Sequence, residues 1–160
     1  MGNINTFVNY LCAKKPRLQS YMPREHSQKS HQYLNWFQAV MRPCIQRLVK
    51  TILGPRAFGL DYEDGDEVEA IKSDFLENIC NYVESMLKER KFLITKNEPT
   101  AIDIIFYNEI SAAFILCRIK GLKRKYPLVT KWIDMMGDMT ELAHYDDKLV
   151  EMVENYELEW

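Results

Sequence analysis

The sequence predicts an all-α fold, and three observations carry that reading. Apolar residues recur at steps of three and four through most of the chain. No run alternates as a strand does. Gly and Pro fall mostly between the periodic segments. The 160 residues suffice for one domain with its own core, and 47% apolar against 28% charged side chains fits a globular chain rather than a disordered one.

The first segment, residues 4–13, is short and apolar-rich, with Ile4, Phe7, Val8, Tyr10 and Leu11. A polar loop from Lys14 to Ser27 follows, punctuated by Pro16 and Pro23. From Gln28 to Leu53 the apolar positions Tyr33, Leu34, Trp36, Phe37, Val40, Met41, Cys44, Ile45, Leu48, Val49 and Ile52 mark a long amphipathic helix. Pro43 removes one backbone donor inside it and predicts a kink; Gly54-Pro55 predicts its end. A second long helix is expected over 66–88, with Val68, Ile71, Phe75, Ile79, Tyr82 or Val83, and Met86 as its buried stripe. Asp66, Glu67 and Glu69 fall in its first turn, where the helix dipole favours negative charge.

The third long helix is announced by Thr100 and Asp103, spaced as a capping box ahead of an apolar run. The Thr100 hydroxyl is expected to accept from the amide of residue 103, and the Asp103 carboxylate to accept from the amide of residue 100. That helix, reaching about Lys120, is apolar on most faces and should lie at the centre. A fourth starts at Pro127 and carries Leu128, Trp132, Met135 and Met136; a last short one is expected over 146–155.

Charge is divided unevenly. Residues 1–60 hold nine basic side chains and a single acid, Glu25, whereas residues 61–160 hold 12 basic and 22 acidic ones. A uniformly basic nucleic-acid binder and a uniformly acidic tail are both excluded. No window approaches about 18 uninterrupted apolar residues, so no membrane-spanning helix is expected, which leaves peripheral contact open. Cys12, Cys44, Cys80 and Cys117 lie more than 30 residues apart with no Cys-x-x-Cys pair, which points away from a zinc site and toward free thiols in a reducing, intracellular compartment. Residues 1–24 carry Lys14, Lys15, Arg17 and Arg24 and no acid, a balance that places the chain in the mitochondrion ahead of the cytoplasm.

The search for chemistry yields no catalytic, cofactor-binding or metal-binding residue. The acidic stretch Asp61 to Glu67 fails as a calcium loop, because with Gly65 at the sharp turn the first and third ligand positions fall on Leu60 and Tyr62. His26, His31 and His144 never pair at one-turn spacing. The basic run Lys120, Lys123, Arg124 and Lys125 reads as a helix end that complements its dipole, so no direct nucleic-acid contact is expected. The candidate partner contacts are Arg17, Arg24, Lys123 and Arg124 on the basic side, Asp146 and Glu151 on the acidic side, and the terminal Trp160.

In order along the chain, Tyr33-Leu-Asn-Trp36, Lys91-Phe-Leu-Ile94, Glu98-Pro-Thr100-Ala-Ile-Asp103 and Tyr126-Pro127-Leu-Val-Thr-Lys-Trp132 resemble segments of the glutathione S-transferase family, in its helical C-terminal domain of the theta-like kind. The resemblance implies a bundle of about five to six helices over residues 25–160. Residues 1–24 then hold a relic of the last helix of the thioredoxin-like domain, and a linker. In the family that helix opens with Glu-Ser, which binds glutathione; here Asn3 and Ile4 stand at those positions, and Ile4 has no donor or acceptor. The rest of the thioredoxin-like domain has no counterpart in these residues, and with it go the groups that activate the thiol.

The expectation is therefore a non-catalytic helical scaffold or accessory subunit without a cofactor. It would dock among other protein subunits of a larger assembly, a mitochondrial respiratory complex ahead of a translation-factor complex. The alternative is a glutathione S-transferase fragment or split enzyme that supplies the hydrophobic substrate site from Tyr33, Trp36, Phe37 and residues near Phe106. A third reading is a carrier of small apolar ligands in the leftover pocket.

Overall fold

A computed structural model of the chain describes residues 4–22, 24–57, 65–117, 122–139, 144, 146–148, 150 and 151, and all regular structure among them is helical. Helix α1 spans Ile4–Lys14 and is followed by two 3-10 turns, Pro16–Tyr21 and Arg24–His26, where a loop is expected. Pro16 is pre-set for the first of these turns, which closes through Leu18 N–H to the Lys15 carbonyl at 2.8 Å.

The first long helix is one rod in three parts: α2 Ser27–Trp36, a π turn Phe37–Met41, and α3 Arg42–Ala57. The disturbance expected at Pro43 sits just ahead of it. Arg42 N–H bonds the carbonyl of Phe37, five residues back. Pro43 has no N–H for Ala39, and the wider turn takes up its ring. Gly54-Pro55 does not end the helix, which runs to Ala57. In the last turn Pro55 forfeits one bond, a smaller loss than in mid-helix.

The second rod likewise joins α4 Asp66–Phe75, a π turn Leu76–Cys80 and α5 Asn81–Leu87. Its buried stripe is the expected one, with Val83 buried and Tyr82 half-buried, and the π turn adds Cys80 beside Ile79. The acidic loop at 61–64 and the helix end at 118–120 lie outside the described residues.

Helix α6, Ala101–Cys117, packs against α2 and α3 on one side and α8 on another, and so forms the centre of the bundle. Ile102, Phe106, Tyr107, Ile110 and Ala113 are completely buried on it. Phe106 meets Phe37 at 5.7 Å and Trp36 at 5.8 Å between ring centroids. On α6, Glu109 faces Arg42 of α3 at 3.8 Å. A short α7, Leu122–Lys125, holds Lys123, Arg124 and Lys125 of the basic run and leads into α8, Pro127–Gly137; Lys120 lies outside the described residues. The first turn of α8 is capped across the bundle: Glu84 of α5 accepts from the amides of Leu128 at 3.1 Å and Val129 at 2.8 Å. Of the last expected helix, residues 146–148, 150 and 151 are helical, and 152–155 lie outside the described residues.

Two stability measurements check this packing. Glu84→Ala uncaps α8 and should cost about 1–2 kcal/mol in urea unfolding. Glu109 is held above its ordinary pKa, since burial opposes its charge more than Arg42 supports it. Protonation is therefore easier in the folded chain than in the unfolded one. The stability this contributes is fully present below the ordinary glutamate pKa and is lost as pH rises through the raised value. Glu109→Gln, neutral throughout, should gain on the parent protein when urea unfolding is repeated at about pH 7.5 instead of about pH 5.

Candidate functional site

The geometry of the candidate site begins with Asp103, whose side chain is buried in the first turn of α6. One carboxylate oxygen accepts from Thr100 N–H at 2.8 Å and from the Thr100 hydroxyl at 2.7 Å. The other accepts from Leu93 N–H at 2.8 Å and from the Trp132 indole N–H at 3.1 Å. Half of the expected capping box is thus present as drawn. The Thr100 hydroxyl differs: it donates to the carboxylate instead of accepting from an amide. The acceptor-only carboxylate, already aimed at this turn, is the stronger partner for a hydroxyl proton. Burial pushes the Asp103 carboxyl above the usual range, against the pull of the four donors.

With its first turn fixed in this way, α6 presents Ala101, Ile104 and Ile105 toward α1. Phe7, Val8 and Leu11 form the opposite wall, and Leu18 and Tyr21 of the 3-10 turn close one end. The result is an apolar groove of about 400 Å3. Val8 is its buried side, whereas Phe7 is 61% exposed and Tyr10, one turn on, 58% exposed. Cys12 separates this groove from a polar hollow of about 240 Å3 that includes Asn9, Gln19, Arg24 and His31. The His31 ring pairs there with the Asn9 amide at 3.2 Å.

The expected contact residues are not gathered at one place. Arg24 is exposed and adjoins the groove through the polar hollow. Lys123 and Arg124 are exposed on α7, where Lys125 lies over the Tyr126 ring at 5.4 Å. The half-buried Asp146 accepts at its carboxylate from the Tyr107 hydroxyl and from the Ser111 hydroxyl at 3.1 Å, and so ties the last segment onto α6. Gly137 leaves room for this contact, since a Cβ there would stand 3.0 Å from the Tyr107 hydroxyl. Glu151 is exposed, and the side chain of Arg17 and all of Trp160 lie outside the described residues.

Sequence reasoning did not single out Phe7, Tyr10, Leu18, Tyr21, Ile104 or Ile105 as a surface. The available signal was in α1, whose apolar residues occupy more of the helix than one packing face can cover. The aromatic residues of the split-enzyme alternative do come together, but as packing: Tyr33, Phe37 and Phe106 are buried, and half-buried Trp36 rests on Tyr82 at 4.4 Å. Among the described residues no cluster of His, Cys, Asp or Glu is placed to hold a metal ion. Cys12, Cys44 and Cys80 are free, with Cys80 buried and Cys12 and Cys44 half-buried; the side chain of Cys117 lies outside the described residues. Burial pushes all three thiols up, Cys44 to about 11 and Cys80 to about 12, so these sulfurs are thiols at neutral pH and poor nucleophiles. No helix among the described residues is long and apolar enough to cross a membrane.

The knot at Asp103 is testable by deletion. Asp103→Ala leaves the Leu93 amide and the Trp132 indole without their acceptor, and urea unfolding should show a loss of about 3–5 kcal/mol.

The family profile described as glutathione S-transferase, C-terminal domain, matches residues 56–148. No curated protein and no solved structure gives a significant match to the chain. The matched span covers α4 to α8, with the Asp103 knot at its centre, and more than half of the sequence. The chain belongs to the glutathione S-transferase C-terminal domain family.

Proposed function

We propose that this protein is a non-catalytic helical scaffold, an accessory subunit that docks into a larger multiprotein assembly through the α1–α6 groove. One observation carries the reading: two aromatic residues a turn apart, Phe7 and Tyr10, stand more than half exposed beside a groove with apolar walls. A contiguous apolar surface of this kind on a single chain is expected to be covered by a partner. Fold membership is no argument for the transferase reaction, since sites and not folds carry chemistry. Asn3 and Ile4 at the positions of the family's glutathione-binding pair support the same reading. So do the three protonated thiols.

The acid-free, basic stretch over residues 1–24 favours a mitochondrial setting and a respiratory assembly, with a translation-factor complex as the second setting. Nucleic acid is the weaker partner. Lys123, Arg124 and Lys125 of the basic run sit on a four-residue helix, with Lys125 turned over Tyr126.

The test is the native mass of the chain in extracts of its own cells. The parent protein should migrate in a complex far above its own 19.0 kDa. The double variant Phe7→Asp, Tyr10→Asp should shift to the free monomer while keeping its helical circular dichroism. A parent protein that migrates as a free monomer would overturn the proposal.

A further inference from the structure

We infer that the occupant of the α1–α6 groove is an amphipathic α-helix of a partner protein, with an aliphatic or aromatic ridge and acidic flanks. This rests on the docking reading above and adds the chemistry of the partner.

The shape of the groove selects a helix. Its long walls are two helices, α1 and the first turns of α6, whose main-chain groups point along the helix axes and present no strand edge to the groove. An extended strand laid between them would find no ladder of free amides and carbonyls, and would leave its own backbone unpaired. A helix brings its backbone already bonded and offers only side chains. Phe7, Val8, Leu11 and Cys12 line the α1 wall over about one and a half turns, and Ala101, Ile104 and Ile105 match them across the groove over about one turn. Side chains spaced at i and i+3 or i+4 on an incoming helix fit that length, as in ordinary packing of ridges into grooves.

The surroundings select the sign of the flanks. From Ile4 to Arg24 the chain holds four cations and no acid. Lys14, Lys15 and Arg24 are exposed, and the Lys14 ammonium lies 5.9 Å from the centre of the exposed Tyr10 ring, beside the apolar patch itself. Across the groove, Asp103 is buried in its knot, and the exposed acids of the loop ahead of α6 are Glu89 and Glu98, against the exposed cations Lys88, Lys91 and Lys96. A partner with Glu or Asp beside its apolar ridge gains from this field, and one with Lys or Arg is repelled.

Two synthetic helical peptides test the inference on the full chain. They share one Leu/Phe ridge and carry Glu or Lys on the flanks. By fluorescence anisotropy the Glu peptide should bind about tenfold more tightly than its Lys twin in low salt, and the gap should narrow as salt is raised. Lys14→Glu with Lys15→Glu, both on exposed positions, should reverse the preference, and Phe7→Asp should weaken both peptides. Equal binding of the twins overturns the acidic flanks, while the docking reading stands on its own native-mass test. Binding that Phe7→Asp leaves unchanged overturns the groove as the seat. Failure of both peptides overturns the helical occupant, again without touching the native-mass result. A dimer of the chain that Phe7→Asp dissolves would make the occupant a second copy and end the inference.

Discussion

A carboxylate in a nearly dry interior needs donors on every side, and Asp103 finds them in three separate parts of the chain. Leu93 belongs to the segment ahead of α6, Thr100 to its cap, and Trp132 to the middle of α8. Each bond is made to a charge or near-charge in low dielectric, where a donor is strongly held and a missing one is costly. The side chain thereby fixes three things together: where α6 starts, how the 88–100 segment approaches it, and how α8 lies across it. Buried Phe92, Leu93 and Ile94 follow from the same constraint, since the segment that brings the Leu93 amide to Asp103 also brings these side chains into the core.

The surface of interest depends on that interior knot. Ile104 and Ile105 follow Asp103 directly, so the orientation of the capped turn decides where they point. They point outward from the core, toward α1. Helix α1 covers them only in part. It uses Val8 as its inner contact, and Asn9 with His31 as a polar tie to α2. Phe7 and Tyr10 remain on the outside. Elsewhere among the described residues the aromatic residues around Phe106 close on one another, and two acids that bear on packing, Glu84 and Asp103, are each satisfied by main-chain amides; a second hollow, beside Trp36, Cys44 and Tyr82, is lined by the charged Arg47 and Asp74 as well.

Much of the fold was legible in the sequence because the helices obey simple periodicity. The Val68–Met86 stripe, the Thr100–Asp103 cap and the start at Pro127 all lie where spacing places them. Other features depend on contacts between distant residues. The Glu84 cap on α8 joins positions more than 40 apart, and no local rule connects them. The two π turns insert a residue into helices whose apolar spacing reads as continuous α. In the first, Pro43 explains the insertion; in the second, neither Pro nor Gly is present within Leu76–Cys80. The tie from Asp146 to α6 is another such contact, since its partners Tyr107 and Ser111 lie more than 30 residues back in the chain. The groove was hidden because its walls, Phe7 to Tyr21 and Ala101 to Ile105, lie far apart in the sequence, and an exposed Phe7 reads, one residue at a time, like any core residue.

The uneven charge of the chain takes on a more local meaning in this light. Part of the basic front, Lys14, Lys15 and Arg24, lies around the uncovered apolar face, where it bears on what docks there. The account therefore turns on one claim, that the face of Phe7, Tyr10 and Tyr21 is covered when the protein is in place. Oxidative footprinting reads this directly, because these three rings are exposed in the free chain and are good targets for hydroxyl radicals. The account predicts that all three are oxidised readily in the purified protein and protected in the native assembly, while the exposed Lys123 to Lys125 face changes little. Equal labelling of the three rings in both states would contradict it.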